Sequence, residues 1–334
     1  MLSATLQNKI RKLITPVPTR ISKRFRLLDN SAEQELRHSL TTNYFAREIW
    51  GKAVSAAEYL ASEDGREDFS QHLYQRLDNF RATVIPWLDS VIGLEGKRIL
   101  EIGCGTGTST VALAEQNARV TAIDIDDPSL QTARDRCRIY HLDVEILKGN
   151  GAEVRQVVGN ATFDVIIYMA VVEHMTIEER LASLKSCWSH LNKNGYLSII
   201  ETPNRLWLYD AHTAWLPFYF WLPDELAYLY SEKSPRKPFN TTFQDKQYKD
   251  IEEFRRHGRG VSYHELELAL GDCDGSSWKP LIGLRDFLRR RNPLWQIVHL
   301  LQTPLGFQRS LKKAAPHIPG VFFEQSLDMV IQRL

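Results

Sequence analysis

Apolar residues form five short runs through the middle of the chain, and more polar segments separate them. Runs of this length, rich in Val and Ile, predict buried β-strands. Strands that alternate with helices are typical of an α/β fold with a doubly wound, mostly parallel sheet. The runs are 98–102, 118–127, 144–154, 163–175 and 191–205.

Glycine stands at every second position between the first run and a helix predicted over 108–116. Gly103, Gly105 and Gly107 therefore occupy a strand-to-helix turn, where a missing Cβ permits positive φ and lets a ligand lie against the main chain. Such a turn predicts a nucleotide-like ligand. The dinucleotide fingerprint G-x-G-x-x-G requires glycine at position 108, where this chain has Thr108, so the spacing argues against a dinucleotide oxidoreductase.

The stretch from Glu101 to Gly107 resembles motif I of the class I S-adenosylmethionine-dependent methyltransferases, which reads acid-x-G-x-G-x-G. The resemblance implies a loop that cradles the methionine part of S-adenosylmethionine, the methyl donor of that family. It also implies a Rossmann-like sheet of seven strands, of which the last two are antiparallel. The runs 276–284 and 326–334 fit those last strands. The resemblance is strong over 95–205 and looser elsewhere.

Polar residues follow the predicted strands where this resemblance places the rest of the cofactor site. Asp124 is expected to accept both ribose hydroxyls, because a carboxylate can take two such bonds, and Ile125 is expected to lie against the adenine. Asn150 is the candidate for the adenine amino group, together with the backbone of Ala152. The residues expected at the cofactor are Glu101, Gly103, Cys104, Gly105, Gly107, Asp124, Ile125, Asn150, Gly151, Ala152 and Met169.

Methyl transfer is an in-line displacement at a sulfonium carbon, so the enzyme aligns the acceptor, excludes water and, for a hydroxyl, removes a proton. His174 and His212 are the candidate bases, with Asp210 or Glu173 as the carboxylate that orients the ring. A structural place at a helix start is the alternative for His174. Glu173 and His174 would also suit a divalent ion, but two adjacent ligands do not define a metal site, and none is predicted.

An abrupt change of composition follows the fifth run, since nine of the 25 residues in 206–230 are aromatic. Acidic residues and prolines exclude a membrane span, which leaves a cap over the substrate pocket or a patch at a membrane interface. The place of the segment next to the fifth strand favours the cap. The predicted regions are a basic arm with helices (1–95), the cofactor-binding core (96–205), the aromatic substrate cap (206–260) and the end of the sheet (261–334) with a helical insertion (285–320).

The net charge of +1 at pH 7 gives no overall field that would favour nucleic acid. The first 28 residues nevertheless carry seven Lys and Arg and no acid, so a transit peptide, a solvated arm and a membrane-surface contact are alternatives. A basic amphipathic helix predicted from Pro293 lies on a membrane or packs on its own domain. The four cysteines lack metal or redox spacing, which predicts reduced thiols and a cytoplasmic protein.

These features together predict O-methylation of a hydroxyl group on a small molecule or on a glycan- or lipid-linked acceptor, with S-adenosylmethionine as methyl donor. An N- or C-methyltransferase is the first alternative. A non-catalytic, methyltransferase-like binding protein is the second, and the intact acid and glycines argue against it. No nucleic-acid partner is predicted, peripheral membrane contact accompanies the lipid-linked acceptor, and the oligomeric state stays open.

Overall fold

A computed structural model describes residues 25–46, 55–236, 251–271, 277–291, 310, 313–314, 321 and 324–334. Nearly all of the predicted basic arm lies outside the described residues. The helix predicted from Pro293, most of the predicted insertion and Cys273 lie outside them as well.

Seven strands form one sheet, and each coincides with an apolar run of the sequence. They are β1 (Arg98–Ile102), β2 (Arg119–Asp124), β3 (Glu145–Lys148), β4 (Phe163–Met169), β5 (Leu191–Ile200), β6 (Trp278–Pro280) and β7 (Met329–Arg333). The order across the sheet is β3-β2-β1-β4-β5-β7-β6. Strands β1 to β5 are parallel, and β7 is antiparallel to β5 and β6. The predicted fold class is therefore confirmed.

Helices precede the sheet, connect its strands and interrupt its second half. They are α1 (Asn30–Ser39), α2 (Ala56–Ala61), α3 (Glu63–Ser70), α4 (Arg76–Asn79), α5 (Ile85–Ile92), α6 (Thr108–Ala114), α7 (Asp127–Ile139), α8 (Val154–Val158), α9 (Ile177–His190), α10 (Asp224–Tyr230), α11 (Ile251–Arg255), α12 (Tyr263–Leu270) and α13 (Leu284–Arg291). Three π-helical turns, Leu40–Tyr44, Gln71–Gln75 and Phe80–Val84, follow α1, α3 and α4.

Local sequence explains where several helices begin. Thr176 accepts the amide of Glu179, and Glu179 accepts the amide of Thr176, which forms a capping box at the start of α9. Asp126 accepts the amide of Ser129 at the start of α7, where a proline occupies the first turn. Each cap satisfies backbone N–H groups that the helix itself leaves without a partner.

Strand β5 is irregular near Asn194, which has a φ of +62°, and its register shifts against β4. The strand is shorter than the run predicted over 191–205, since it ends at Ile200. Thr202 thereby leaves the sheet and becomes free to meet residues of another turn.

Three hydrophobic clusters stabilise the molecule. The first packs the N-terminal helices, α6 and α7 on one face of the sheet, and Trp87 of α5 is fully buried in it. The second packs α9 and α12 on the other face. The third lies within the segment after β5 and includes Tyr219, Tyr228 and Phe254. Within the described residues, no helix is both long and apolar enough to cross a membrane.

The order of strands reverses between β1 and β4, because β2 continues the sheet on one side and β5 on the other. In open parallel sheets, ligands bind outside the carboxyl ends of the strands at such a reversal. The glycine loop follows β1, and the Glu173–His174 turn follows β4. The topology therefore brings both predicted parts of the site to one edge.

Candidate active site

The glycine loop has a left-handed backbone at all three glycines, with φ of +74° at Gly103, +51° at Gly105 and +79° at Gly107. A Cβ on Gly103 would lie 2.0 Å from Val171 Cγ2, and one on Gly107 would lie 3.0 Å from Ala133 Cα. A Cβ on Gly105 would meet nothing within 4 Å. Two glycines are thus required by packing, and Gly105 leaves space through which a ligand can approach the main chain.

Two residues predicted at the cofactor, Glu101 at the end of β1 and Cys104 in the glycine loop, have side chains that face the interior. The Glu101 carboxylate is fully buried and accepts hydrogen bonds from Ser109 Oγ and, at 2.6 Å, from Thr110 Oγ1, while burial raises its pKa. The Cys104 side chain belongs to the core, and burial raises the pKa of its thiol. The Glu101 side chain thus holds the start of α6 and the Cys104 side chain packs into the core, and a contact of these residues with the cofactor stays a prediction.

The carboxyl end of β2 is accessible to solvent, as a nucleoside-binding site requires. Asp124 is partly exposed; its Oδ2 accepts the Gly105 amide at 2.8 Å, and its Oδ1 accepts the Asp126 amide at 3.0 Å. Partial burial raises the pKa of this carboxyl. The Ile125 side chain is 66% exposed beside it. Each carboxylate oxygen retains a lone pair for a ribose hydroxyl, so these residues fit the predicted ligand.

The loop after β3 carries the residues predicted at the adenine. Asn150 is exposed, and its Oδ1 accepts the Ala152 amide at 2.9 Å, so that amide is already engaged within the chain. Gly151 is buried, and its carbonyl accepts Ser183 Oγ at 2.5 Å. The backbone contact from Ala152 to the adenine stays a prediction. Met169 packs into the core at the end of β4.

A fully buried carboxylate, Glu173, lies at the centre of the candidate catalytic residues. Its Oε2 accepts Thr202 Oγ1 at 2.9 Å, whereas its Oε1 has no hydrogen-bond partner. That oxygen lies 3.9 Å from His174 Nε2 and 3.8 Å from His212 Nε2. Burial raises the pKa of Glu173. Two histidines from separate segments therefore converge on one unpaired oxygen.

The hydrogen bonds assign the proton on each imidazole ring. His174 Nδ1 lies 2.8 Å from the Arg256 carbonyl, which can only accept, so this nitrogen donates. His212 Nδ1 lies 3.2 Å from Thr213 Oγ1, whose own proton goes to the Gly258 carbonyl at 2.7 Å, so this nitrogen also donates. A ring that carries its proton on Nδ1 presents a lone pair at Nε2. Burial lowers the pKa of His212 to about 4, which keeps this ring neutral at pH 7.

Asp210 does not orient the His212 ring as the sequence predicted. Its Oδ1 accepts the amides of His212 and Thr213, both at 2.8 Å, and its Oδ2 accepts the amide of Ala214. This carboxylate caps the turn that carries His212. The residue that faces the ring is Glu173, which the sequence offered as the alternative.

Arg180 supports this site from outside it, and no sequence pattern predicted that role. Arg180 is almost completely buried and donates to the carbonyls of Glu173 at 3.0 Å, Arg259 at 2.6 Å and Gly260 at 3.2 Å. It thereby joins the turn after β4 to the segment before α12. A buried Arg with this role is recognisable only from its contacts. The described residues contain no group of three or more His, Cys, Asp and Glu that could hold a metal ion.

Residues 99–195 match a family model described as a methyltransferase domain. A cypemycin N-terminal methyltransferase from Streptomyces sp is 35% identical over 116 residues, which are 34% of this chain and 45% of the relative. A ubiquinone biosynthesis O-methyltransferase from Azoarcus sp. (strain BH72) is 30% identical over 122 residues, which are 36% of this chain and 50% of the relative. The chain spans about half the length of these curated relatives.

Among solved structures, magnesium protoporphyrin IX methyltransferase from Synechocystis PCC 6803 with bound SAM has 20% sequence identity and a TM-score of 0.37, covering 56% of this chain and 83% of that one. The domain match includes the glycine loop, Asp124 and the Glu173–His174 turn. Residues 99–195, which include nearly all of β1 and strands β2 to β4 of the seven-stranded sheet, are therefore similar to a methyltransferase domain.

Proposed function

We propose that this chain transfers the methyl group of S-adenosylmethionine to a hydroxyl group of a small molecule or of a lipid- or glycan-linked acceptor. The observation that carries the proposal is the convergence of Glu173 Oε1, His174 Nε2 and His212 Nε2. With Glu173 ionised and each imidazole protonated only at Nδ1, all three atoms accept hydrogen bonds, and a hydrogen-bond donor fits between them. A hydroxyl group is such a donor, and its proton must leave during methylation.

When bound, S-adenosylmethionine supplies an electrophilic methyl carbon on a sulfonium sulfur. The glycine loop and Asp124 would hold it at the end of β1 and β2, next to the Glu173–His174 turn. His212 would accept the proton of the acceptor hydroxyl at Nε2, and the carboxylate of Glu173 would stabilise the imidazolium that forms. Because burial lowers the pKa of His212 to about 4, the rate should rise through about pH 4 and stay level towards neutral pH.

The expected test is the release of S-adenosylhomocysteine with a panel of hydroxylated phenols, glycans and lipids. His212→Ala should lower kcat by about 10²–10⁴-fold, the usual range for a general base, without a change in S-adenosylmethionine affinity. His174→Ala should cost less. His264→Ala is the matched control, because this histidine is exposed on α12 outside the site. A neutral His212→Ala together with an inactive His174→Ala would assign the base to His174.

Exposed apolar side chains support an acceptor with an apolar or lipid part. Leu206, Leu208, Phe218 and Trp221 are between 37% and 54% exposed on the segment that carries His212. Leu and aromatic side chains of this kind favour a lipid interface. Sedimentation with liposomes that contain anionic lipid, at low and high salt, tests the lipid-linked acceptor and the peripheral membrane contact. Absence of binding at low salt contradicts both and leaves a small molecule or a glycan.

An amine acceptor is the second candidate, because three converging hydrogen-bond acceptors also suit the N–H groups of a neutral amine. A relative named as an N-terminal methyltransferase is consistent with this candidate. Methylation of an amine depends less on a base, so the variant that lacks both histidines should retain much of its activity on amines. Loss of all activity in that variant favours the hydroxyl acceptor.

A further inference from the structure

An arginine without a carboxylate partner is buried against the glycine loop. Arg136, on α7, has no exposed surface, and no carboxylate of the described residues lies within ion-pair distance of its guanidinium. Its pKa is lowered by burial to about 10, so the group stays charged at neutral pH. Burying a charge without an ionic partner costs free energy of folding. The position of Arg136 against the glycine loop therefore suggests a function for it.

The guanidinium donates to three main-chain carbonyls from two parts of the chain. Arg136 Nε donates to Thr106 O at 2.7 Å, within the glycine loop. Its Nη2 donates to His72 O at 2.6 Å and its Nη1 to Leu73 O at 3.3 Å, within the π-helical turn Gln71–Gln75. One side chain thus fastens the loop to the helices that precede the sheet.

Two further contacts hold the same loop. The side chains of His72 and Thr106 are buried, and His72 Nδ1 lies 3.1 Å from Thr106 Oγ1. Gly107 packs so closely on α7 that a Cβ there would lie 3.0 Å from Ala133 Cα. Turns of π-helix often occur at functional sites, and the one that contains His72 faces this loop. The conformation of the loop therefore depends on α7 and on the N-terminal helices together.

The positive charge of Arg136 lies next to the glycine loop. A fixed positive charge with no counter-ion favours an anion nearby. The methionine end of S-adenosylmethionine carries a carboxylate, and the glycine loop is the part of the site expected to cradle that end. The guanidinium bonds to the carbonyl of Thr106, and a Cβ on the adjacent Gly105 would meet nothing within 4 Å.

We infer that Arg136 is a positioning residue for the cofactor, which fixes the glycine loop against the N-terminal helices so that the loop receives the methionine carboxylate. The inference rests on the cofactor named in the proposed function and is independent of the acceptor. It assigns the N-terminal helices a part in cofactor affinity.

Calorimetry on the full chain tests this with two ligands that share one nucleoside. S-adenosylmethionine carries the methionine chain with its carboxylate and ammonium groups, whereas 5′-methylthioadenosine lacks that chain and has an uncharged sulfur. Arg136→Met should weaken S-adenosylmethionine binding by at least about tenfold, as expected for lost bonds to a charged group, and should change 5′-methylthioadenosine binding by less than about twofold. Arg136→Lys keeps the charge and should recover part of the affinity. It also replaces the Met variant in the test should that variant not fold.

The matched control removes another buried arginine of the same face. Arg81 bonds to Glu115 at 2.6 Å and does not contact the glycine loop, so the double variant Arg81→Met with Glu115→Gln should bind both ligands as the wild type does. Equal weakening of both ligands by Arg136→Met, or no weakening, would overturn the inference. Because the assay contains no acceptor, a wild-type protein that binds S-adenosylmethionine but methylates no hydroxyl contradicts the proposed acceptor alone.

Discussion

Gly258 shows how one residue without a side chain fixes the candidate base. Its φ of +85° belongs to the left-handed region. A Cβ at this position would lie 2.8 Å from Thr213 Oγ1 and 3.1 Å from His212 Nδ1. The carbonyl of Gly258 also accepts a hydrogen bond from the Thr213 hydroxyl, and the oxygen of that hydroxyl accepts one from His212 Nδ1. The absence of a Cβ is therefore part of what aims the His212 ring at Glu173.

Gly258→Ala is expected to reduce kcat by at least about tenfold, because the added methyl displaces the His212 ring from the position of a general base. The left-handed backbone should in addition destabilise the fold by about 1–2 kcal/mol. Gly271→Ala is the control: its φ is +91°, but a Cβ there meets nothing within 4 Å. Thermal unfolding of both variants measures the cost of the strained backbone, and turnover measures the displacement of the His212 ring. Equal turnover of the two variants would contradict a positioning role for Gly258.

At the scale of elements, the segment between α11 and α12 connects the aromatic segment to α9. Arg256 reaches Glu179 with both terminal nitrogens, at 2.7 and 2.8 Å, while its carbonyl accepts His174 Nδ1. Glu179 belongs to the capping box of α9. One surface ion pair thus ties together a helix start, a connecting segment and a candidate catalytic ring.

The ion pair makes part of the stability depend on pH. Hydrogen bonds from Arg256 lower the pKa of Glu179, so its contribution is present above the unfolded-state pKa of about 4.3 and is lost as pH falls through the folded-state pKa. Glu179→Gln should therefore destabilise the fold at pH 7 by about 1 kcal/mol or less, since the pair is partly exposed. The difference from wild type should shrink below about pH 4.3.

Urea unfolding at several pH values measures this difference. Glu178→Gln is the matched control, because Glu178 lies in the same first turn of α9 and is exposed. A similar loss in both variants would assign the effect to the helix dipole in place of Arg256.

At the scale of the whole molecule, the aromatic segment has a hydrophobic cluster of its own. The two larger clusters cover the two faces of the sheet, whereas Tyr219, Phe220, Tyr228 and Phe254 pack mainly with one another. Hydrogen bonds and ion pairs join this cluster to the site, through Arg259 to Leu222 O and to Asp224 among others. Regions with a separate, small core open more readily than the core of a sheet.

Hydrogen exchange of the free protein is expected to show faster exchange in α10 and the turn before it than in β1 and β4, because local opening of the cap does not require the sheet to unfold. The regions 1–95, 96–205, 206–260 and 261–334 remain a proposed division of the chain, and this measurement tests one boundary. Exchange of α10 at the rate of β4 would mean that cap and sheet open as one unit.

Much of the fold could be predicted from the sequence, and the residues of the cofactor site stay a prediction. Apolar runs identified five strands, because burial on both faces of a sheet leaves a local pattern in the residues that form it, and the family resemblance led to the other two. The glycine spacing and Asp124 at a strand end indicated the cofactor for a similar reason, since the loop that needs them is continuous in the chain. The sequence did not predict that the Glu101 side chain points into the core, or that Asn150 accepts the Ala152 amide. The direction of a side chain depends on the residues that pack against its loop.

The sequence alone determined the α/β class, the order of its elements and the candidate bases His174 and His212. Only the tertiary structure decided that both histidine rings face Glu173 and that Asp210 accepts backbone amides. It also decided that Gly258 lies against His212 and that Arg136 bonds to the glycine loop. The physical reason is one of range. Strand and turn preferences arise among neighbours along the chain, whereas the direction of a ring and the partner of a buried charge are set by segments that meet only after the sheet has formed.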